Sequence, residues 1–358
     1  MHINIIGAGP IGGQTAYLLA KKGYDVHVYE DHSEVGKPVQ CTGLMTISLN
    51  ELLNPMKEFL VNKTKQVKII APNGSTLALN STEYIVDRTL FDSYFVKKAI
   101  DAGATLHTHH RFLGLKENNI LFKNTLKNVT IKTKQEILIG ADGANSAVAK
   151  VLNPNRKRRY CMGIQARVRG SFDPESYTVF FDNGLSPGFF AWIVPESSSV
   201  ARVGLKGTNV HFDSFLKKQG FTQIEMQAGP IPIYDPQYIT EKDGIYLVGD
   251  AATQVKATTA GGLIPGLKAA QCLVDALEQE KSYECLWKRK VGRSLWLHLR
   301  LRRILDRFSN DDWNRLIGLL NKRSVKDVFE RYDREKPWKL LSVIAKEPRL
   351  LQFGRYIL

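Results

Sequence analysis

The opening of the chain alternates between short apolar runs and polar or glycine-rich positions. Ile3–Ile6 is apolar and β-branched, which predicts a strand. Residues 11–22 carry apolar side chains at helical spacing, and Gly23 predicts the end of that helix. Asp25–Tyr29 has the pattern of a second strand. This order of elements predicts a βαβ unit within a parallel sheet.

Further apolar runs predict strands of the same sheet in later parts of the chain. Ile137–Ile139 leads into a Gly-Ala-Asp-Gly turn, and Gly244–Val248 leads into a Gly-Asp pair. Residues 258–262 then open a predicted helix with apolar positions as far as Leu273. The parallel sheet is therefore expected to come from three separate stretches of sequence.

The region between Arg158 and Tyr238 has a different pattern, in which β-forming runs are separated by turn residues. It predicts antiparallel strands at Tyr177–Phe181, Phe189–Val194 and Val200–Leu205, and residues 63–79 are expected to add strands to the same sheet. Alternation places Phe190, Trp192 and Val194 on one face of the middle strand and Phe189, Ala191 and Ile193 on the other. One face must pack on the core, and the other either packs too or lines an apolar cleft.

These patterns together predict an α/β fold with a Rossmann-type domain, an inserted antiparallel β-sheet domain and a C-terminal helical region. The Rossmann-type domain is predicted to comprise residues 1–57, 85–157 and 240–285. The inserted β-sheet domain is predicted to comprise residues 58–84 and 158–239, and the helical region residues 286–358.

The composition is that of a globular protein, with 43% hydrophobic and 24% charged residues among 358. The apolar runs are too short for a membrane span, and the N-terminus lacks the pattern of a signal peptide, so we expect a cytoplasmic protein. The four cysteines show no zinc-ligand spacing with histidine, so no metal site is predicted. The net charge of +15 indicates an anionic partner.

Residues 7–12, with the sequence GAGPIG, form the first motif that carries chemistry. Gly7 permits a tight turn, Gly9 lets the backbone approach a pyrophosphate, and Gly12 lets the helix pack closely on the strand. The helix that follows Pro10 adds N–H groups and a positive dipole end. Glu30 ends the second strand, where a carboxylate accepts hydrogen bonds from ribose hydroxyls. The motif predicts a dinucleotide site.

A second cluster favours FAD over NAD. Asp142 lies in a turn suited to backbone contact with cofactor phosphates. Gly249 and Asp250 follow the last strand, where Asp250 is placed to hold ribitol hydroxyls, which NAD lacks. Gly261 and Gly262 open the next helix, whose N-terminal dipole can stabilise the anion of a reduced flavin. One FAD is therefore expected to contact both ends of the chain.

Three more segments add a family resemblance: residues 34–44 (EVGKPVQCTGL), residues 86–92 (VDRTLFD) and residues 190–195 (FAWIVP). Together with the glycine motifs, they resemble the geranylgeranyl reductase family, within the flavoproteins typified by p-hydroxybenzoate hydroxylase. The resemblance spans nearly the whole chain. Phe190 stands where tyrosine is common in the family, and Val194 stands where an aromatic residue is common.

The resemblance implies an FAD-dependent reductase that saturates C=C bonds of geranylgeranyl chains in archaeal-type ether lipids or their precursors. It also implies that Gln40, Cys41 and Arg88 contact FAD, and that Phe190, Trp192 and Pro195 contact the substrate. Cys41 is the candidate catalytic acid by this resemblance. A free thiol with a pKa of about 8.5 is a poor acid toward an alkene. A positioning role for Cys41 and proton donation by an ordered water therefore stay open.

Two other functions are compatible with the same scaffold. A flavin-dependent monooxygenase that hydroxylates an aromatic compound would consume oxygen with its substrate, whereas a reductase would not. A non-catalytic flavoprotein that presents a lipid to a partner would bind lipid without reoxidation of its flavin. A single GxGxxG motif is present, so electrons are expected from reduced ferredoxin, or from NAD(P)H bound transiently.

Leu286–Arg307 contains eight Lys or Arg residues and one Asp. Its net charge of +7 is nearly half of the +15 of the whole chain. Helical spacing groups basic residues around Trp296 on one face: Arg289, Arg293, Arg300, Arg303 and Arg307. Gly292 predicts a kink or a break. This face is either a solvated surface, a contact with anionic lipids at the inner face of the membrane, or a dock for an acidic electron carrier. No nucleic-acid partner is expected, because no binding motif accompanies the charge.

Overall fold

The computed structural model describes residues 1–53, 57–331 and 334–356. Two compact units make up the chain. Residues 1–39, 88–160 and 231–296 form the first unit, and residues 40–87, 161–230 and 297–358 form the second. The predicted α/β fold, with a Rossmann-type part and a second, mainly antiparallel sheet, is confirmed. The domain boundaries drawn from the sequence stay a prediction.

The bounds of the elements follow the chain. The strands are β1 (His2–Ile6), β2 (Asp25–Tyr29), β3 (Leu44–Thr46), β4 (Leu60–Ile70), β5 (Thr76–Val86), β6 (Thr105–His107), β7 (His110–Lys116), β8 (Asn119–Asn124), β9 (Val129–Lys134), β10 (Ile137–Gly140), β11 (Tyr160–Arg169), β12 (Ser176–Phe180), β13 (Ala191–Pro195), β14 (Val200–Lys206), β15 (Thr222–Pro232), β16 (Glu241–Lys242) and β17 (Ile245–Leu247). The α-helices are α1 (Pro10–Ala20), α2 (Arg88–Asp101), α3 (Ala147–Leu152), α4 (Asn209–Gln219), α5 (Leu263–Gln279), α6 (Tyr283–Trp287), α7 (Arg293–Leu305), α8 (Asn310–Leu320), α9 (Arg323–Glu330) and α10 (Leu340–Lys346).

The first unit contains a six-stranded sheet of order β16-β17-β10-β1-β2-β6, in which every pair except β16·β17 is parallel. The central strand β1 buries Ile3, Ile5 and Ile6 because both faces of a parallel sheet are covered. Helix α1 packs against α2 and α5. The approach to α2 is close, since a Cβ at Gly13 would lie 2.9 Å from the Phe95 Cβ. The predicted βαβ unit is present.

The second unit contains an eight-stranded sheet of order β15-β11-β14-β13-β12-β4-β5-β3. The hairpin β12·β13 and the pairs β13·β14 and β11·β14 are antiparallel, as predicted. The sheet is nevertheless mixed, because β12 pairs with β4 in parallel. More than a hundred residues separate these two strands, so no hairpin turn imposes an antiparallel pair.

Strand β13 begins two residues later than expected, so Phe189 and Phe190 precede it. Its two faces join different apolar clusters. Trp192 and Val194 pack with Ile317 and Leu320, whereas Ala191 and Ile193 pack with Phe212 and Phe215. Both faces of this strand therefore contribute to packing.

The predicted C-terminal helices are present from α6 to α10, followed by a 3₁₀ segment at Pro348–Tyr356. A π-helical turn at Lys288–Gly292 joins α6 to α7, which agrees with the irregularity predicted at Gly292. On and beside α7 the predicted basic residues and Trp296 are exposed, whereas Val291 and His298 are buried. Across the described ranges, we find no helix with the length and apolar character to span a bilayer.

Candidate functional site

The three glycines of residues 7–12 have different surroundings, so glycine is needed at each position for a different reason. Gly7 has a φ of +100°, and a Cβ there would lie 2.5 Å from the Ala141 carbonyl oxygen. A Cβ at Gly12 would lie 2.0 Å from the Gly7 carbonyl oxygen, so both positions are closed to side chains by the protein itself. A Cβ at Gly9, in contrast, would meet no atom within 4 Å. The open side of Gly9 is where a ligand can approach the backbone.

Two helix N-termini in the first unit carry no side-chain cap. Gly9 is the N-cap of α1, with Pro10 following it, and Gly262 is the N-cap of α5; neither can cap through a side chain. Helices α3 and α8, in contrast, have serine caps that accept backbone N–H groups. The N–H groups and the positive end of α1 suit the phosphates of a dinucleotide, and those of α5 suit a second anionic group, such as the anion of a reduced flavin.

The packing of Ile11 brings the two glycine motifs together. A Cβ at Gly249 would lie 3.1 Å from the Ile11 side chain of α1, and a Cβ at Gly266 would lie 2.8 Å from it. Residues without side chains therefore let the start of α1 lie against the turn after β17 and the first turn of α5. The stretches at 7–12 and 249–266, far apart in sequence, therefore lie side by side in the first unit.

Asp250 is an acidic residue in the turn that follows β17, close to the start of α5. Its carboxylate accepts no hydrogen bond from the residues that the structure describes. Desolvation raises the pKa of Asp250, and the positive charges of Arg88 and Arg158 oppose that shift. Gly262 allows this arrangement, because a Cβ there would lie 2.6 Å from Asp250 Oδ1. A desolvated acceptor without a donor fits the hydroxyl groups of a ribityl chain.

Arg158 connects three segments around Asp250 and was missed at the sequence level. Its Nη2 donates to the Ala251 carbonyl oxygen at 2.6 Å and to the Tyr238 hydroxyl at 3.1 Å, and its Nη1 donates to the Ala144 carbonyl oxygen. It therefore fixes the turn after β10 against the turn after β17. No local sequence motif indicates this role of Arg158, because its partners are two backbone carbonyl oxygens and a tyrosine hydroxyl that are all distant in sequence.

Other predicted residues lie close to these loops with specific partners. Glu30 accepts the Ala8 N–H at 2.9 Å through Oε2, which places its carboxylate against the glycine loop. Arg88 begins α2 and makes a two-bond ion pair with Asp92 at 2.9 and 2.8 Å. Gly261 forms an isolated bridge with Lys256 before α5.

The side chain of Asp142 has a structural task in this fold. Its carboxylate accepts the Ser146 hydroxyl at 2.5 Å and the Ala147 and Val148 N–H groups at 2.7 and 3.2 Å, at the start of α3. Desolvation raises the pKa of Asp142, whereas these hydrogen bonds lower it. The Asp142 carboxylate is therefore engaged within the protein, and the backbone contact with cofactor phosphates at this turn stays a prediction.

In the second unit, the segment with Gln40 and Cys41 is held at the next two residues. Gly43 has a φ of +68°, and its N–H donates to Cys41 Sγ at 3.4 Å. Arg202 donates to the Thr42 carbonyl oxygen at 2.6 Å and is itself paired with Glu196 at 2.6 Å. Gln40 is exposed beside Gly229, and Cys41 is half-buried.

A chain of hydrogen bonds leads from Thr42 to the surface of this unit. The Thr42 hydroxyl donates to Gln165 Oε1 at 2.7 Å, Gln165 Nε2 donates to Gln227 Oε1 at 2.6 Å, and Gln227 Nε2 donates to Glu225 at 3.2 Å. Glu225 accepts only, so it fixes the orientation of both amides and makes Thr42 the donor. This chain orients Thr42 beside Cys41, and sequence patterns did not reveal it.

The predicted substrate residues lie near one another in the second unit. Phe190 stacks on Phe189 at a centroid distance of 4.2 Å and meets the Trp192 ring edge-on at 6.1 Å. The Trp192 indole Nε1 has no hydrogen-bond partner among the described residues, and Gly204 leaves room for its ring. Pro195 is buried, and its carbonyl oxygen accepts from Asn62 at 2.9 Å.

Comparison with known proteins gives matches along the chain. The profile of a family described as an NAD(P)-binding Rossmann-like domain matches residues 5–40. Digeranylgeranylglycerophospholipid reductase 1 of Methanopyrus kandleri is 30% identical over 81% of this chain and 84% of its own length. Digeranylgeranylglycerophospholipid reductase 2 of Methanothermobacter thermautotrophicus is 27% identical over 99% of this chain and 98% of its own. The crystal structure of a geranylgeranyl bacteriochlorophyll reductase-like protein of Thermoplasma acidophilum superposes with a TM-score of 0.85 at 21% identity, covering 100% of this chain and 99% of that one.

Proposed function

This chain belongs to the family of digeranylgeranylglycerophospholipid reductases, and from that premise we propose that it is an FAD-dependent reductase of isoprenoid lipids. Its reaction saturates C=C bonds of geranylgeranyl chains in an archaeal-type ether lipid or its precursor. The observation that carries the proposal is the Asp250 carboxylate, desolvated and without a hydrogen-bond donor, beside the open starts of α1 and α5. These groups match the hydroxyl and phosphate groups of FAD.

The residues of the first unit bind and orient the cofactor. The N–H groups at the starts of α1 and α5 bind anionic groups, Glu30 accepts ribose hydroxyls, and Asp250 accepts ribitol hydroxyls. Arg158 keeps the two turns around Asp250 in register. When bound and reduced by the electron donor, FAD would supply the hydride for one carbon of the double bond.

The residues of the second unit supply position and a proton. Cys41 is the proposed proton donor or positioning group for the second carbon, with an ordered water as the alternative donor. Thr42 is oriented by Gln165 and Arg202, so the segment 41–43 keeps one conformation. Phe190 and Trp192 are proposed to contact the isoprenoid chain, because extended apolar chains are held by apolar and aromatic surfaces.

The electron donor and the lipid surface complete the proposal. Reduced ferredoxin or transiently bound NAD(P)H supplies the electrons. If NADPH alone bleaches the flavin at the rate of turnover, NADPH is a sufficient electron donor. If NADPH does not bleach the flavin, a carrier protein is required. The exposed residues Arg289, Arg293, Trp296, Arg300 and Arg303 are proposed to contact anionic membrane lipids, where Trp and Arg suit the interface.

A product analysis tests the reaction class. The purified protein is reduced with dithionite under argon, mixed with digeranylgeranyl lipid, and the lipid is weighed by mass spectrometry. The proposal predicts a gain of two hydrogen atoms for each double bond reduced. Unchanged lipid mass, or oxygen consumption that depends on an aromatic substrate, would contradict it. A protein that binds lipid without reoxidation of its flavin would also contradict it.

A further inference from the structure

A cluster of histidines and one aspartate lies on the six-stranded sheet of the first unit, away from the carboxyl ends of the strands where the glycine motifs follow. His2 lies on β1, and Asp25 and His27 lie on β2. In the parallel register His2 is opposite Asp25, and Asp25 and His27 are two residues apart. All three side chains therefore project from the same face of the sheet.

The nitrogen and oxygen atoms of these side chains converge. His2 Nδ1 lies 2.7 Å from Asp25 Oδ2, and His27 Nε2 lies 3.1 Å from Asp25 Oδ1. The three groups place one ligand atom each within 4.8 Å of one another. Ligands that share a tetrahedral zinc ion at about 2.0–2.2 Å are separated by about 3.3–3.6 Å, so small side-chain rotations would bring these atoms onto one ion.

A third histidine supports the orientation of His27. His27 Nδ1 lies 3.0 Å from His107 Nε2, and the two rings are stacked. His107 lies on β6, the neighbour of β2, and its ring also stacks on Tyr29. When His27 binds a cation through Nε2, its Nδ1 carries the proton and donates to His107. Metal-ligating histidines are commonly held by such a second hydrogen bond.

We propose that His2, Asp25 and His27 form a binding site for a divalent transition metal, of which Zn²⁺ is the best match. Two imidazoles and one carboxylate favour zinc, copper or nickel over magnesium and calcium, which prefer oxygen ligands. Side-chain exposures of 24%, 65% and 24%, for the three residues in order, leave a path for the ion and a position for water. The ion would replace two His–Asp hydrogen bonds and link β1 to β2 by coordination.

The site stands independently of the proposed reductase activity. The hydrogen-bonded cluster without metal is the alternative, and titration of the protein separates the two. The protein is prepared without a tag at its N-terminus, because His2 is a proposed ligand, and is freed of metal with a chelator. Zn²⁺ is then added in a calorimetric titration, and bound metal is counted by native mass spectrometry.

We expect one equivalent of Zn²⁺ in the unmodified protein and an increase of its unfolding temperature. Asp25→Asn and His27→Ala should each weaken binding by at least about tenfold, and His107→Phe should weaken it less. His32→Ala is the matched control, because Glu30, Asp31 and His32 are the other group of close ligand atoms that the described residues contain. Cys285→Ser controls for an exposed thiol. Both controls should bind Zn²⁺ as the unmodified protein does.

Absence of Zn²⁺ uptake by the unmodified protein would overturn the proposal. Equal uptake by Asp25→Asn, or loss of uptake in either control, would overturn it as well. Circular dichroism without metal identifies variants that fail to fold, and His107→Phe then serves as the milder variant. Reductase turnover enters none of these readouts, so failure of the zinc site and failure of the proposed activity are distinguished.

Discussion

The Asp250 carboxylate is the side chain on which the proposed binding of FAD depends most directly. Hydrogen bonds to a charged group contribute about 1.5–3 kcal/mol each. Asp250→Asn should therefore weaken FAD binding by about 10- to 100-fold, while the apo-protein, relieved of a desolvated charge, should unfold at the same temperature or higher. Fluorescence titration with FAD and thermal unfolding of the apo-protein measure both effects. Unchanged affinity would exclude Asp250 as a cofactor ligand.

The direction of the Asp250 pKa also predicts a pH dependence. Desolvation raises this pKa above its value in the unfolded chain, so the Asp250 contribution to apo-protein stability falls as pH rises through it. The ionised carboxylate is the stronger acceptor for ribitol hydroxyls, so FAD affinity should increase over the same range. Titrations from about pH 4 to about pH 7 test this. Asp250→Asn should remove that part of the pH dependence, and an identical profile in the variant would contradict the assignment.

Gln165 should influence turnover without touching the cofactor. Gln165→Leu leaves the Thr42 hydroxyl and the Gln227 carbonyl oxygen without their hydrogen bonds, which should lower stability by about 1–3 kcal/mol. We expect a lower kcat with nearly the same content of FAD, since Glu30, Asp250 and the helix starts that are proposed to hold the cofactor all lie in the first unit. Gln223→Leu, at an exposed position of the same sheet, is the matched control. Turnover of Gln165→Leu equal to that of the control would contradict a positioning role.

Individual site residues differ in how far the sequence reveals them. Some of them lie shortly after a strand that the local sequence pattern predicts, so their positions in the fold could be predicted from the sequence: Gly7, Gly12, Glu30 and Asp250. Arg158 and Gln165 instead act through partners that only the tertiary structure brings close. The roles proposed for Cys41, Phe190 and Trp192 rest on family resemblance and stay predictions.

The glycines at the start of α1 are predicted to serve different purposes: Gly12 is needed for packing, and Gly9 is needed for ligand binding. Gly9→Ala meets no protein atom within 4 Å, so the apo-protein should keep its unfolding temperature while FAD affinity falls. Gly12→Ala would place a Cβ 2.0 Å from the Gly7 carbonyl oxygen, so it should lower both stability and FAD content. Thermal unfolding and flavin absorbance of the two variants check this.

The control for these substitutions lies on another helix. A Cβ at Gly318 in α8 meets no atom within 4 Å, and Gly318→Ala should stabilise the protein by about 0.5–1 kcal/mol without a change in flavin content. Normal FAD binding by Gly9→Ala would disprove the close approach of a cofactor to that position.

Strands and helices with strong local patterns could be predicted from the sequence. Which strands pair with each other, and in which direction, could be predicted only in part. The strand–glycine–helix order fixed β1, α1 and β2 to within two residues at each end. The parallel pair β4·β12 joins strands more than a hundred residues apart, and nothing in either strand marks that choice. The start of β13 was misplaced because Phe189 and Phe190 have β-forming side chains but pack ahead of the strand.

The whole molecule carries a charge of +15, and a basic face of α7 contributes to it. If this face contacts anionic lipid, the double variant Arg293→Glu and Arg303→Glu should lose binding to vesicles that contain phosphatidylglycerol. Each reversed charge should cost about 1 kcal/mol or more near the surface, and added salt should weaken binding of the unmodified protein. Cosedimentation with vesicles measures this.

A matched pair on another part of the surface provides the control. Lys116→Glu and Lys132→Glu change the net charge by the same amount at exposed positions of the three-stranded sheet β7-β8-β9. This variant should bind vesicles almost as well as the unmodified protein. Equal losses in the two double variants would show that total charge, and not the α7 face, determines binding.

Anaerobic reoxidation of the bound flavin tests the central claim most directly. The purified protein is reduced under argon, and its visible absorbance is followed after addition of digeranylgeranyl lipid or its fully saturated counterpart. The account predicts that the unsaturated lipid restores the oxidised flavin spectrum, with one double bond lost for each flavin reoxidised, and that the saturated lipid has no effect. A colourless protein that takes up no FAD, or a reduced flavin that stays reduced with the unsaturated lipid, would contradict it.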